Sequence, residues 1–231
     1  MRDWPITPGL YLLTAICGVI DATCFLALGD VFAEVMTGNI MFLAFEIGQG
    51  RGVEAFPIYA VPLVTFSIGA LGAGYLLRTR HLGGRRRHAF IAITILVAIA
   101  AILALLWAPE PRSSHALIIV GILAFAMGMQ NAAVLYHPVP DVATNVMTLT
   151  MVRLLSNWSI VGGDNARWQY RVASLGIFFI GAIIGAALVR ISAAAGLLVA
   201  LMLYCIALPL LLWGRSPSDT PTPTPQDMEK P

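Results

Sequence analysis

An acidic side chain stands inside an apolar run. Asp21 lies about two-thirds of the way along the stretch 10–28, which otherwise holds apolar, small or hydroxylated residues, with no basic residue near it in the chain. A carboxylate in hydrocarbon costs about 3 kcal/mol on insertion scales, so it must face a cavity or a partner. Two roles fit: a titrating site for a proton or cation, or a structural hydrogen bond or ion pair, with Arg153 as the available cation. The string MTGN follows at 36–39. Thr37, Gly38 and Asn39 place a hydroxyl, a flexible backbone and an amide side by side. Such a group can coordinate a small polar ligand or ion through side-chain and carbonyl oxygens. The same residues also suit a helix cap or hinge.

A second polar set falls in the other half of the chain. Gln130 and Asn131 belong to GMQNA, Asn145 and Thr148 to the string 144–150, and Arg153 follows shortly after. With Asp21, Thr37, Gly38 and Asn39 they make the candidate set for binding a substrate or ion. Gln130 and Asn131 could equally be hydrogen-bonding glue between helices. Glu34 and Glu46, towards the two ends of the segment that carries MTGN, are expected at the membrane interface.

Enzyme chemistry finds no support. His81, His88, His115 and His137 sit in loops or at segment ends, and no HExxH, paired-cysteine, GxSxG or glycine-rich phosphate motif occurs. A haem-carrying helix would need an axial ligand such as His in the apolar core. No catalytic residue, metal or cofactor is expected. Cys17, Cys24 and Cys205 all lie in apolar runs and read as buried packing residues. Cys17 and Cys24 would stand about 10 Å apart along a helix, too far to bridge.

The elements that must position these residues are membrane helices. The 231 residues are 58% hydrophobic and 11% charged. A soluble domain carries about 25% charged residues, so this chain could not cover its surface in water. The basic residues cluster in one short loop, which argues against a nucleic-acid partner. Eight apolar segments run over 10–28, 31–47, 56–77, 89–108, 116–136, 142–159, 172–189 and 193–213. Six are long enough to span a bilayer core. The second and sixth are short and polar, as re-entrant or broken helices are. The tail 215–231 is rich in Pro, Ser and Thr and is expected to be disordered and cytoplasmic.

Charge separates two topologies. The loop RTRHLGGRRRH at 78–88 is cytoplasmic by the positive-inside rule. If all eight segments cross, six basic residues fall inside and seven outside. If segments two and six return to the side they left, ten fall inside and only Arg51, Arg112 and Arg190 outside. The second arrangement obeys the rule, with both termini in the cytoplasm.

The halves also repeat. FSIGALGAGYLLR at 66–78 and FFIGAIIGAALVR at 178–190 share six of thirteen positions at an offset of 112. GVIDA and GMQNA align at an offset of 110, so that Asp21 meets Asn131; Thr37 and Thr148 align at 111. Three matches in order argue for a duplication. Each half, about 9–108 and 116–213, then holds three crossings, and an odd number inverts the second half. Inverted repeats are common in secondary transporters, with sites near the midplane on broken helices. Gly69, Gly72, Gly181 and Gly185 are expected to serve close helix packing.

GVIDATCFLALGDVFAEVMTGNI, FAMGMQNAA and the threonines of 144–150 resemble the YoaK-like family of bacterial membrane proteins, a domain-of-unknown-function family usually described with six membrane helices. The resemblance covers roughly 9–213. It departs at Leu149, where the family usually has Gly after Thr, which puts a tight turn there in doubt. It implies a bacterial inner-membrane address and no substrate.

The expectation is an all-α integral membrane protein in a single polytopic domain, 1–214, with six full crossings, two partial segments and an inverted internal repeat. Its function is expected to be a small transporter or permease for a solute or ion, with Asp21 as the coupling group. An uncoupled channel and a non-transporting membrane scaffold are the alternatives. The partners expected are the lipid bilayer, a small solute or ion, and further copies of the chain as a homo-oligomer.

Overall fold

In a bilayer each segment must satisfy its own backbone hydrogen bonds, so the apolar runs fold as helices. The computed structural model describes residues 7–78, 82–135, 147–165 and 167–213. The helices are α1 (Thr7–Thr23, continued by a π-helical stretch Cys24–Gly29), α2 (Met36–Gly48), α3 (Gly52–Leu77), α4 (Leu82–Trp107), α5 (Ser114–Leu135), α6 (Met147–Ser156), α7 (Trp168–Val189) and α8 (Ala193–Trp213). Six of them are long and apolar enough to cross a membrane. At 13 and 10 residues, α2 and α6 reach only about 20 and 15 Å. Hydroxyls inside the spans are paid by their own helix: Thr14, Thr23, Thr65 and Thr94 each donate to the carbonyl four residues back.

Contacts between helix ends decide the topology. Gly9 at the start of α1 lies against Leu210 and Leu211 at the end of α8. Arg87, early in α4, donates to the Leu212 carbonyl at 3.4 Å. The starts of α1 and α4 and the end of α8 therefore share one face, here the first face. On the second face the Arg112 amide, just before α5, donates to the Leu28 carbonyl at 3.0 Å. Since α1 ends on the second face and α4 begins on the first, only one net crossing separates them. That crossing is α3, so α2 returns to the face it left. By the same parity α5 ends on the first face. α7 runs parallel to α1, with Gly181 on Ala15 and Gly185 on Val19, and so starts on the first face too. No net crossing lies between α5 and α7, where α6 sits. Six crossings and two partial segments follow from packing alone, independently of the count of basic residues.

The inverted repeat is visible in matched contacts. A Cβ on Gly18 of α1 would meet the Phe178 carbonyl of α7, and one on Gly128 of α5 would meet the Phe66 carbonyl of α3. Gly181 abuts the Ala15 carbonyl, and Gly69 the Phe125 carbonyl. Each pair maps onto its counterpart by the offsets of the duplication. The halves are thus interdigitated: α1 packs on α7 of the other half, α5 on α3, and α4 on α8 across the pseudo-twofold axis. Backbone-to-backbone approach of this kind needs residues without a Cβ.

Two expectations are corrected here. Gly72 has open space around it, so its small size is not required by a neighbour. Cys205 is exposed on α8, where the helix presents its outer side, whereas Cys17 and Cys24 are buried. In the sixth segment, residues 142–146 lie outside the described residues, and the described helix Met147–Ser156 is short, as expected, ending where Asn157 and the glycines at 162 and 163 favour turns. The tail 215–231 lies outside the described residues.

Candidate functional site

The site starts from the way the chain turns back at the second face. The π-helical stretch ends at Asp30, whose amide donates to the Phe25 carbonyl and whose backbone is left-handed, at φ 59°. Asp tolerates that conformation better than most residues. Gly29 before it has φ 135°, and a Cβ there would run into the Arg112 backbone. The residues 31–35 then lead back into the protein, antiparallel to the end of α1. Asn39, one turn into α2, clamps them: its Oδ1 accepts from the Phe32 amide at 2.9 Å and its Nδ2 donates to the Phe32 carbonyl at 2.8 Å. Gly38 lets the Phe32 ring lie against the helix, since a Cβ would stand 2.7 Å from it. The Phe25, Phe32 and Phe42 rings stack beside this hairpin.

Asp21 sits where the returning loop meets α2. Its Oδ1 accepts from the amides of Ala33 at 2.8 Å and Glu34 at 2.9 Å. Val35, at the start of α2, supplies no side-chain cap. Asp21 therefore ties down the residues just ahead of the re-entrant helix, with a carboxylate near the positive end of its dipole. Glu34 is 7% exposed and lies beside Asp21. Its Oε1 accepts from Asn131 Nδ2 at 3.2 Å, and the Cys17 thiol is within its reach. Three oxygens of this cluster are buried with no donor: Asp21 Oδ2, Glu34 Oε2 and Asn131 Oδ1.

Glu34 also lines a cavity of about 430 Å³ between the two re-entrant segments. The cavity is built in pairs. Met36 and Thr37 open α2 and Met147 and Thr148 open α6; Phe66 and Phe178 are the first residues of the duplicated strings of α3 and α7. Each pair is related by the offset of the repeat, so the pseudo-twofold axis passes through the cavity. Glu34 breaks the symmetry, because the position 111 residues later is Asn145. Asp21 likewise faces Asn131 as its repeat partner. Both acids belong to the first half and both counterparts are amides.

The remaining candidates fall elsewhere. Gln130 is fully buried, donates to Cys17 Sγ at 3.2 Å and accepts from the Tyr204 hydroxyl, so it ties α1, α5 and α8 together. Gly38 and Asn39 shape the hairpin, and no cavity atom is theirs. Arg153 is exposed at the end of α6, where its carbonyl accepts from Arg171. Arg153 does not pair with Asp21; ion pairs at the second face join Arg51 to Glu46 at 2.6 Å and Arg112 to Asp30 at 2.9 Å. The hydrogen bond from Arg51 holds the Glu46 carboxyl below its usual range. Asn145 lies outside the described residues.

Glu34 is the principal correction. It was expected at the interface and is instead buried beside Asp21, because the loop that carries it runs inward before α2 begins. Asp21 meets Ala33 and Glu34, a turn ahead of Thr37–Asn39. Asn131 bonds Glu34 of the other half. The usable signal was Glu34's place just ahead of a partial helix, where an acid suits the helix start. Phe66 and Phe178 were legible as repeat-matched residues, but nothing in the string distinguished lining from packing.

The sequence from residue 9 to residue 209 matches the family described as "Protein of unknown function (DUF1275)". The chain belongs to that family. Over 156 residues it is 29% identical to the UPF0700 transmembrane protein YoaK of Bacillus subtilis (strain 168), a stretch covering 65% of this chain and 66% of that protein. No solved structure matches the chain. The six apolar helices and the likeness to a protein named as transmembrane agree on the class: this is a transmembrane protein.

Proposed function

We propose that the protein is a small transporter or permease of the bacterial inner membrane. It would move a small solute or ion through the cavity between its repeats, with proton or cation coupling at the Asp21–Glu34 pair. The observation that carries this reading is the cavity itself, lined by equivalent residues of two inverted halves and bordered by a buried carboxylate oxygen with no donor. Inverted halves can exchange conformations, which turns an opening toward one face into an opening toward the other. An occupant that supplies a proton or positive charge satisfies the unpartnered oxygens, and its departure leaves them costly, so occupancy and conformation are linked. Arg78, Arg87, Arg167 and Arg171 lie toward the first face, which supports a cytoplasmic first face under the positive-inside rule. The reading requires no covalent step, cofactor or metal.

Uptake of a panel of small solutes into proteoliposomes, with and without a pH gradient, tests it. Gradient-dependent accumulation supports coupled transport. Equilibration that ignores the gradient points to a channel. Absence of flux for the whole panel points to a membrane scaffold.

A further inference from the structure

We infer that the cavity recognises a small organic cation, a primary ammonium group on a compact apolar body. The inference rests on the transport reading for the ligand's passage, not for its recognition. Charge is the first ground. Glu34 brings a carboxylate to the lining with Asp21 beside it, and no Lys, Arg or His lines the cavity among the described residues. Against them stands the start of α2, equivalent to about +0.5 of a charge. Asp21 already binds the amides ahead of α2. Glu34 is left with the Asn131 amide and the Cys17 thiol, a deficit of positive charge. An anionic ligand would have to sit against the unpartnered Glu34 Oε2.

Donor count is the second ground. Glu34 Oε2 is a buried acceptor without a donor on a residue that lines the cavity, and Asp21 Oδ2 and Asn131 Oδ1, outside the lining but in one linked cluster with it, are two more. A primary ammonium ion carries three N–H donors and no acceptor. The walls are the third ground. Phe66 and Phe178 supply aromatic residues, a type whose ring face attracts cations, and Met36 and Met147 supply adaptable thioether residues. Thr37 and Thr148 are the only hydroxyls among the lining residues. A sugar would bury several hydroxyls there without partners. A hydrated inorganic ion would gain little from two rings and two thioethers. The volume, about 430 Å³, suits a small molecule.

Calorimetric titration of the full chain in lipid nanodiscs tests the inference with three probes of one shape: benzylammonium, benzyl alcohol and benzoate. Benzylammonium is expected to bind saturably, at least about tenfold tighter than benzyl alcohol, and benzoate not at all. Glu34→Gln is expected to weaken benzylammonium about tenfold or more, and Phe66→Leu by a smaller factor. Saturable binding of benzoate, equal binding of the alcohol, or no binding of benzylammonium to the wild-type chain overturns the inference, whether or not Glu34→Gln folds. Displacement of benzylammonium by equimolar sodium also overturns it. The two readings fail separately. Accumulation of some other solute in proteoliposomes, with no benzylammonium binding, sinks the inference and leaves transport. Glu34-dependent binding with no flux of any solute sinks transport and leaves the recognition.

Discussion

Replacing Asp21 by alanine and by asparagine separates its hydrogen-bonding role from its charge. Asp21 Oδ1 accepts two backbone amides, and both lie in a buried hairpin that water does not reach. Alanine removes the acceptor and leaves both N–H groups unsatisfied, at about 1–3 kcal/mol each, so Asp21→Ala is expected to cost about 2–6 kcal/mol. At about 2–4 °C per kcal/mol for a chain of this size, that is a fall of roughly 4–24 °C in melting temperature. Asparagine keeps an oxygen for the same two amides and puts an N–H₂ where Oδ2 now has no donor. It weakens two charge-assisted bonds by about 1 kcal/mol each and relieves the burial of a carboxylate, so Asp21→Asn should stay within about 2 kcal/mol of wild type. Melting of the purified variants in one detergent, followed by size-exclusion chromatography, reads both values. If Asp21→Asn is as damaged as Asp21→Ala, the two hydrogen bonds are not what matters and the charge itself holds the fold. If Asp21→Ala melts like wild type, the hairpin does not depend on these bonds. Proton-driven uptake by the stable asparagine variant then reports on coupling: it should be abolished, and normal coupled uptake would rule out a coupling role for Asp21.

The pseudo-twofold axis makes Gly18→Ala and Gly128→Ala equivalent perturbations. Each pushes a methyl group into a carbonyl of the facing helix, so each should destabilise by about 1–3 kcal/mol in the same melting assay, and a silent variant at either position would break the equivalence. Tyr204→Phe strips the hydroxyl that serves Gln130 Oε1 in the core and should cost about 1–3 kcal/mol, measured by the same melts. Arg112→Ala loses an exposed pair with Asp30, worth at most about 1 kcal/mol, so a large drop in melting temperature would show that the pair does more than its exposure allows. On a background lacking the native cysteines, cysteines at Arg51 and Arg112 should react with an impermeant maleimide added to intact cells while one at Arg87 should not; labelling at Arg87 alone would reverse the orientation.

Membrane class, the six long spans and the duplication were legible in the string because each is a local or periodic property. A run of about twenty apolar residues reads as a span whatever it touches, and repeated letters at one offset need no contact to be seen. Asp21 was legible for the same reason: an acid in such a run must be served by something. The identity of that partner was not. Arg153 looked available by charge, but the fold leaves it at the exposed end of α6 and gives Asp21 two backbone amides instead. A backbone amide carries no letter in the sequence, so no reading of residue types could have named it.

Glu34 shows where the boundary lies. Its neighbours in the chain allowed either an interfacial or a buried position, and burial depended on the direction in which 31–35 leave the π-helical turn at Gly29 and Asp30. The cavity is a further step removed, since its paired methionines, threonines and phenylalanines come from segments more than a hundred residues apart. Sequence alone determined that this chain lies in a membrane, that its halves repeat, and that a few polar groups must be shielded there. Only the tertiary structure decided which of those groups meet, because partners across an inverted repeat are chosen by helix packing, and helix packing is a matter of shape between surfaces that are distant in the chain.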